Sequence, residues 1–522
     1  MTNGPNIAMA TRERHPLVEM LAIAAPSVVT MSSYTAMQFV DAKMVSMIGP
    51  DPVYVAAQGN GGMTAWVPIS ILMGMLSVIN TYVSQNLGAG KPERGSAYGW
   101  AAIWTAAIAA ALIAPMVGLL PWLFGMSGRA ATGLSVDQLA QMARQAQLEV
   151  DYASTLMYGA FFTIATRGLA QYFYGIHRPS VVMIAAIVGN LTNMAFNAVL
   201  IYGPTPPESL PLRGVAGSIA TSLGIPALGV KGAAIATVIG TAVELLIPLA
   251  VFLGPTYNRL YKTRAAWRPS LGIFRDIIKI GWPGALMFGS EMICWWYFTV
   301  RLVGSFGTDH TFASWIALRY MHMSFMPAVG ISFAVTAMVG KAIGMKRPDV
   351  ARKRALLGMA VTMGYMGVCA LAFVVFRHDL IEFFITHDPA RPRSELEITR
   401  IIEIGSGIMI IAAVFQVFDA MGITMVGALR GAGDTVWPGV MTVVFSWGLI
   451  VGGGHVIVAV APDLGAIGPW LGAAAYIIAF GSTLAWRFSR GKWREVKLLE
   501  QSAQPRLHVP VDTADGLLSE PG

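Results

Sequence analysis

The chain has 522 residues, of which 55% are hydrophobic and only 12% are charged. Soluble proteins carry about 25% charged residues, so this composition excludes a soluble domain and predicts an all-α polytopic membrane protein. The formal net charge is +8. Both cysteines lie in apolar segments, which indicates packed thiols and excludes a disulfide framework or a cysteine metal site.

About twelve apolar segments follow one another, and each is long enough to cross roughly 30 Å of hydrocarbon. Lys and Arg concentrate in every second connection, such as 259–268 and 346–354, which is the positive-inside pattern. It predicts a multi-pass protein of the inner (plasma) membrane with both termini in the cytoplasm. The basic charge therefore sets topology and does not indicate a nucleic-acid partner. The predicted spans are residues 17–48, 55–86, 97–124, 151–175, 180–203, 230–253, 272–304, 310–343, 355–385, 400–430, 437–460 and 467–488.

The chain also repeats itself. VSQNLGAGKP at 83–92 is echoed by VGKAIGMKRP at 339–348, with the shared Val, Gly and Pro each 256 positions apart. Because six spans separate the copies, the two halves have the same orientation and form a parallel repeat. The predicted parts are a cytoplasmic tail (1–16), a six-helix lobe (17–253), a cytoplasmic linker (254–271), a second six-helix lobe (272–489) and a disordered cytoplasmic tail (490–522). Such duplication suits a transporter that rocks two bundles about a central site, and a membrane enzyme rarely needs it.

Two acids interrupt the apolar segments of the second half. Glu291 lies eight residues after Pro283 in the stretch GWPGALMFGSEMICWWYFTV at 281–300, and Asp419 ends the stretch FQVFD at 415–419. An ionised carboxylate near the bilayer centre costs several kcal/mol, so each acid should face a wet cavity and bind a cation or carry a proton. The structural alternative is that they pair with Arg301 or Arg319 between helices.

Several stretches resemble one known family, the multidrug and toxic compound extrusion (MATE) transporters. ALRGAGDT at 428–435 is the most specific of them. The others are FVDAKMVSMIG at 39–49, GNLTNMAFNAVLIYG at 189–203, GAAIAT at 232–237 and SFMPAVG at 324–330. They occur in the family's order over nearly the whole apolar chain. The resemblance implies about twelve transmembrane helices in two six-helix bundles, and efflux activity rather than enzymatic activity.

Within that family the details resemble the NorM-like branch. Glu291 and Asp419 match that branch's cation-binding acids in the seventh and tenth helices, and Asp41 matches the functional Asp of the first helix. The resemblance thus implies a cation-coupling site of Glu291, Asp419 and Asp41, with Glu291 and Asp419 as Na⁺ ligands if sodium is the coupling ion. A surface ion pair of Asp41 with Lys43 is the structural alternative.

The remaining candidates are residues that would line a substrate cavity. Asn193 and Asn197 lie four residues apart and therefore share a helix face. Asn197 stands where the archaeal branch has Asp, so this half lacks an acid pair. Phe415 stands where the NorM type can carry a Tyr, so its ring could meet a cation without a hydroxyl ligand. All of these residues have a plain structural alternative, as packing groups or as hydrogen-bonding groups between helices. The full set is Asn193, Asn197, Phe415, Tyr297, Met287 and Gln58.

The sequence contains no Gly-x4-Gly-Lys-Ser/Thr nucleotide loop, so we expect no cofactor and an ion gradient as the energy source. We predict a monomeric antiporter that exports amphipathic, often cationic, drugs or toxins in exchange for Na⁺ or H⁺ by alternating access in the lipid bilayer. Three alternatives stay open, of which a purely structural or receptor role would leave the buried acids unexplained. A lipid or oligosaccharide flippase would line its cavity with Arg, and a polytopic membrane enzyme would need clustered His, Asp or Ser.

Overall fold

The computed structural model describes residues 15–49, 51, 53–129, 135–211, 213–386 and 394–502. All regular structure in these ranges is helical. The twelve predicted spans correspond to twelve helices or helix pairs, which we number α1 to α12. They are α1 Pro16–Ser46, α2 Val53–Gly88, α3 Pro92–Gly125, α4 Val136–Tyr158 with Ala160–Gly175, α5 Pro179–Leu200, α6 Gly229–Leu253, α7 Leu271–Tyr297, α8 Thr308–Gly344, α9 Pro348–Val375, α10 Glu395–Ala432, α11 Val436–Val460 and α12 Ile467–Ser489.

Ten of these helices are long and apolar enough to cross a membrane within the described ranges. The two exceptions have local causes. In α4 the helix is interrupted at Gly159, and α7 carries Arg275, Asp276 and Lys279 in its first turns. The described helices thus confirm the predicted all-α polytopic fold.

Three sharp turns at one end of the molecule follow the same sequence rule. Gly90, His177 and Lys346 each have a positive φ, of 72°, 60° and 58°. In every case a basic residue and then a proline follow, and the proline opens α3, α5 or α9. Proline suits the first helical position because its φ is preset and the missing N–H would have no helical partner. These turns carry the predicted cytoplasmic charges, and we call this side of the molecule the basic end.

The helices form two six-helix lobes, α1 to α6 and α7 to α12. The apolar core of the second lobe lies within that lobe, whereas the core of the first lobe also includes Ile273 and Ile277 of α7. The lobes touch through small residues. A Cβ on Gly88 would lie 2.0 Å from the carbonyl oxygen of Lys341, and a Cβ on Gly344 would lie 2.0 Å from that of Gln85. Gly344 and Lys341 are the partners of Gly88 and Gln85 in the 256-residue repeat. The contact is therefore reciprocal, as expected for two halves related by a two-fold axis.

The contacts between the lobes lie in the half of the molecule nearest the basic end. Gln85 Nε2 donates to the carbonyl of Gly431 at 2.9 Å, and Thr81 Oγ1 donates to that of Arg430 at 2.8 Å. Toward the middle, a Cβ on Gly74 in α2 would lie 2.4 Å from the carbonyl oxygen of Gly284 in α7. The lobes are thus joined at the basic end.

Part of the tail that we expected to be disordered is ordered. Residues 492–495 and 498–501 form short helices. Trp493 is fully buried, its ring stacks on Phe488 at 4.8 Å, and its Nε1 donates to the carbonyl of Phe488 at 2.8 Å. The prediction of disorder is wrong for this part because one large aromatic side chain docks it. The predicted tail residues 1–14 and 503–522 lie outside the described residues.

Candidate functional site

The second lobe brings Glu291 and Asp419 together although 128 positions separate them in the chain. Glu291 lies on α7, and Oε1 accepts a hydrogen bond of 2.7 Å from the hydroxyl of Tyr476 on α12. Asp419, on α10, is close enough to Glu291 for their charges to interact, and both carboxylates act on Tyr476. Three helices thus bring two carboxylates and a phenol hydroxyl into the same part of the lobe.

No basic side chain neutralises this acid pair within the described part of the chain. Among the described residues, the charged neighbour of Asp419 is Glu291, and Glu291 has a hydrogen bond with Tyr476. Arg319, a possible structural partner, is exposed and lies 5.8 Å from the ring of Phe384. Both acids are half-buried. Two neighbouring carboxylates repel each other when both are ionised, so a bound cation or a proton stabilises the pair.

The first lobe contains a second polar cluster around Asp41 of α1. Asp41 accepts a hydrogen bond from Asn197 on α5, and the hydroxyl of Thr237 on α6 lies near it while donating to the carbonyl of Ala233. Asn197 also donates to Asn193 Oδ1 at 3.3 Å, and Asn193 donates to Thr237 at 3.2 Å. Asp41 is 6% exposed and Asn197 is fully buried, so water has little access to this cluster, and Asn197 Oδ1 has no hydrogen-bond partner among the described residues. Asp41 points into its lobe and does not form a surface pair with Lys43.

Gln58 belongs to the same first-lobe cluster. The hydroxyl of Tyr152, on α4, lies within hydrogen-bonding reach of Gln58 and Thr237, and its ring is close to Asp41. Five helices of the lobe, α1, α2, α4, α5 and α6, therefore contribute to one cluster that holds a single acid.

The other predicted lining residues have no hydrogen bond to these clusters among the described residues. Phe415 is fully buried and stacks on Trp470 with 5° between the ring planes, so it packs in the core of its lobe and offers no open face to a cation. Tyr297 shares a hydrogen bond of 2.9 Å with His455 Nε2. Met287 is one helical turn before Glu291 and lines a small hollow between the lobes.

A third buried cluster was missed by the sequence analysis. Glu244 on α6 is 4% exposed, accepts a hydrogen bond from Tyr34, and lies 3.8 Å from Arg167 Nη1 on α4. The Arg167 guanidinium also lies 3.8 Å from the centre of the Tyr34 ring. The sequence did contain a signal for this cluster, because Glu244 is a charged residue within an apolar segment, as Glu291 is. Tyr476, in contrast, gives no sequence signal, since tyrosine is common in apolar helices.

Two six-helix lobes that share a two-fold axis, with buried charged sites in each, define a membrane transporter. The MatE family model matches residues 26–199 and 286–452, one segment in each lobe. The chain therefore belongs to the MatE family of transporters. This confirms the resemblance and the prediction that the protein is not an enzyme.

Individual relatives agree with this assignment. The chain is 27% identical to the probable multidrug resistance protein NorM of Burkholderia pseudomallei, over 92% of this chain and 94% of that protein. It is 28% identical to the multidrug resistance protein PmpM of Pseudomonas aeruginosa, over 86% and 85%. The similarity to NorM proteins confirms the expected branch.

Solved structures have the same fold. An outward-facing multidrug resistance MATE transporter of the MOP superfamily aligns with a TM-score of 0.73 at 19% identity, over 92% of this chain and 98% of that chain. A MOP superfamily transporter from Pyrococcus furiosus, whose reversed pocket polarity suggests a different function, aligns with a TM-score of 0.76 at 19% identity, over 92% and 97%.

Proposed function

We propose that this protein is a secondary active multidrug exporter that exchanges amphipathic organic cations for Na⁺ or H⁺. The observation that carries the proposal is the pair of acids Glu291 and Asp419, which no basic side chain neutralises among the described residues. Carboxylate and hydroxyl oxygens are ligands of hard cations, so the two acids and Tyr476 suit Na⁺ as well as a proton. The multidrug names of the NorM and PmpM relatives support this substrate class.

The exchange of a drug for a cation follows from the negative charge of the acid pair. In the proposed cycle, the end at which the lobes are joined faces the cytoplasm, and the acid pair is then reached from outside. A cation that enters there neutralises Glu291 and Asp419 and removes the attraction that holds a cationic drug. The loaded protein then opens at the basic end, releases the cation and takes up new drug. Each ligand shifts the equilibrium between the two states only through its different affinity for them.

A lipid or oligosaccharide flippase is the second candidate, because it uses the same two-lobed scaffold. An Arg-lined cavity would favour it. Arg430 does lie between the lobes, but at the joined basic end, while the site toward the other end carries acids. The negative charge of the site therefore favours an exporter of cations over a flippase.

The test is drug accumulation in cells that express the protein, with the sodium and proton gradients collapsed in turn. We expect a fluorescent organic cation to be excluded from energised cells and to accumulate when the coupling gradient is lost. The other gradient serves as the internal control. Unchanged accumulation on expression, with the protein verified in the membrane, would contradict the proposal.

Asp41 supports a separate prediction about coupling. A lone acid among amides binds Na⁺ poorly, because one negative charge offsets little of the dehydration cost of the ion. We expect Asp41→Asn to impair transport while cation binding remains, and Glu291→Gln to abolish cation binding. Binding of ²²Na⁺, or cation-linked proton release, by the purified variants measures this difference. Loss of binding in Asp41→Asn with normal binding in Glu291→Gln would place the coupling site in the first lobe.

A further inference from the structure

One histidine side chain joins the two lobes at the basic end. His177 lies in the turn between α4 and α5, outside the membrane-spanning segments. Its Nε2 is 3.1 Å from the carbonyl oxygen of Ala337 on α8, in the other lobe. A carbonyl oxygen can only accept a hydrogen bond, so Nε2 carries the hydrogen of the neutral ring, and a second proton would go to Nδ1.

This histidine has no counterpart in the second lobe. The position 256 residues later is Gly433, and both residues have a positive φ, of 60° and 93°. The two turns also share their backbone hydrogen bonds, since the N–H of His177 donates to the carbonyl of Tyr174 as that of Gly433 donates to the carbonyl of Arg430. The same turn therefore carries a titratable side chain in the first lobe and none in the second.

The end of α4 packs on one face of α8. Phe333, Ala337 and Lys341 are spaced four residues apart and share that face. The ring of Tyr174 stacks on Phe333 with 5.0 Å between the ring centres, and His177 bonds to Ala337 one turn further along. These contacts join α4 of the first lobe to α8 of the second, so they exist only while the lobes are joined.

The surroundings of His177 disfavour a positive charge. Lys341 is the charged group on α8 that acts on its ring, and Arg178, next in the chain, is also basic. Helix α2 approaches the turn with the neutral residues Val83 and Asn80. No carboxylate among the described residues acts electrostatically on His177. A protonated imidazole would therefore lose hydration in this contact and be repelled by Lys341 without gaining an acidic partner.

Burial in the contact, and then the charge of Lys341, lower the pKa of His177 from its ordinary value of 6.5 to about 4. When the lobes separate at this end, both causes disappear and the pKa returns to its ordinary value. The open state then binds the proton more tightly than the joined state. The contribution of neutral His177 to the joined state is therefore complete above pH 6.5 and is lost as the pH falls from 6.5 toward 4.

We propose that His177 is a pH-sensitive latch, which holds the lobes together at the basic end at neutral pH and releases them on acidification. The basic end is the predicted cytoplasmic side, so the latch responds to the pH of the cytoplasm. It acts on the contact between the lobes and requires neither the coupling cation nor the drug. An acidified cytoplasm thus shifts the protein toward the state that is open at the basic end.

The test is the distance between spin labels at positions 91 and 346, one in each lobe, in a chain without Cys294 and Cys369. Between pH 7.5 and 5.5 we expect the ratio of joined to open protein to fall about ten-fold, as the two pKa values require. His177→Asn should abolish this fall, because Asn tolerates a positive φ but does not titrate. His15→Gln, a change to an exposed histidine at the start of α1, should retain it.

A second variant keeps the test decisive if His177→Asn fails to fold. Lys341→Glu places a carboxylate where the ammonium group stood, which favours protonated His177 in the joined state, so the fall with pH should be much smaller. A ratio that does not change with pH in the labelled chain would overturn the proposal. A full ten-fold fall in His177→Asn or in Lys341→Glu would do the same. These measurements use no drug, and the accumulation assay tests drug export separately.

Discussion

Glu291→Gln and Asp419→Asn are each expected to abolish drug export while the protein still inserts into the membrane. Both changes preserve side-chain size and remove the charge that distinguishes the cation-loaded site from the empty one. We expect resistance to fall to the level of cells that lack the protein. The buried repulsion between the two acids is also relieved, so thermal stability should stay the same or rise. Resistance, accumulation of a fluorescent cation and membrane abundance measure these effects.

Glu403→Gln is a matched control on the same helix as Asp419. Glu403 is exposed, so its substitution changes the same chemical group away from the site and should leave export unchanged. If both site variants export drug at the wild-type rate, the acids have only a structural role. If only one of them does, coupling depends on a single carboxylate and the two-acid site is wrong.

Alanine at Gly88 and Gly344 is expected to open the basic end. Each new Cβ would lie 2.0 Å from a carbonyl oxygen of the other lobe, a distance at which backbone must move. Overpacking of this kind costs about 2 kcal/mol per site, which is roughly a 30-fold shift in population away from the joined state. Both positions should behave alike because their contacts are reciprocal. The transport rate should fall in proportion to the population of the joined state, because each transport cycle passes through that state.

Distances between spin labels at positions 91 and 346, in a background without Cys294 and Cys369, measure this opening. Both label positions are exposed at the basic end. The control is Gly364→Ala on α9, where a Cβ would meet no atom within 4 Å, so the distance distribution should not change. A wild-type distribution in Gly88→Ala and Gly344→Ala would show that the joined state tolerates the added atoms and that this contact does not set the equilibrium.

The charged clusters of the two lobes differ in a way that bears on mechanism. In the second lobe, Glu291 and Asp419 are half-buried and have no basic partner in the described chain. In the first lobe, Glu244 is already compensated by Arg167 and Tyr34, and Asp41 accepts a hydrogen bond from the amide of Asn197. Binding a cation stabilises an acid little when that acid already has a partner, whereas it stabilises a pair of acids without a basic partner much more. This asymmetry is the reason to assign coupling to the second lobe.

The sequence by itself determined the membrane class, the order of the spans and the repeat. These follow from local properties, because apolar runs of sufficient length cross a bilayer wherever they occur. The identity of Glu291 and Asp419 as site candidates also came from the sequence, since a charge in an apolar run is rare and costly. The same rule would have found Glu244, had it been applied to every span.

Only the tertiary structure decided which face each residue presents. In a helix of a soluble protein, the apolar stripe marks the buried side. In a membrane, both the lipid and the protein interior are apolar, so the spacing of apolar residues says little about which side of a helix faces the protein interior. This is why Phe415, expected at a cavity, is packed against Trp470, and why Tyr476 was not anticipated beside Glu291.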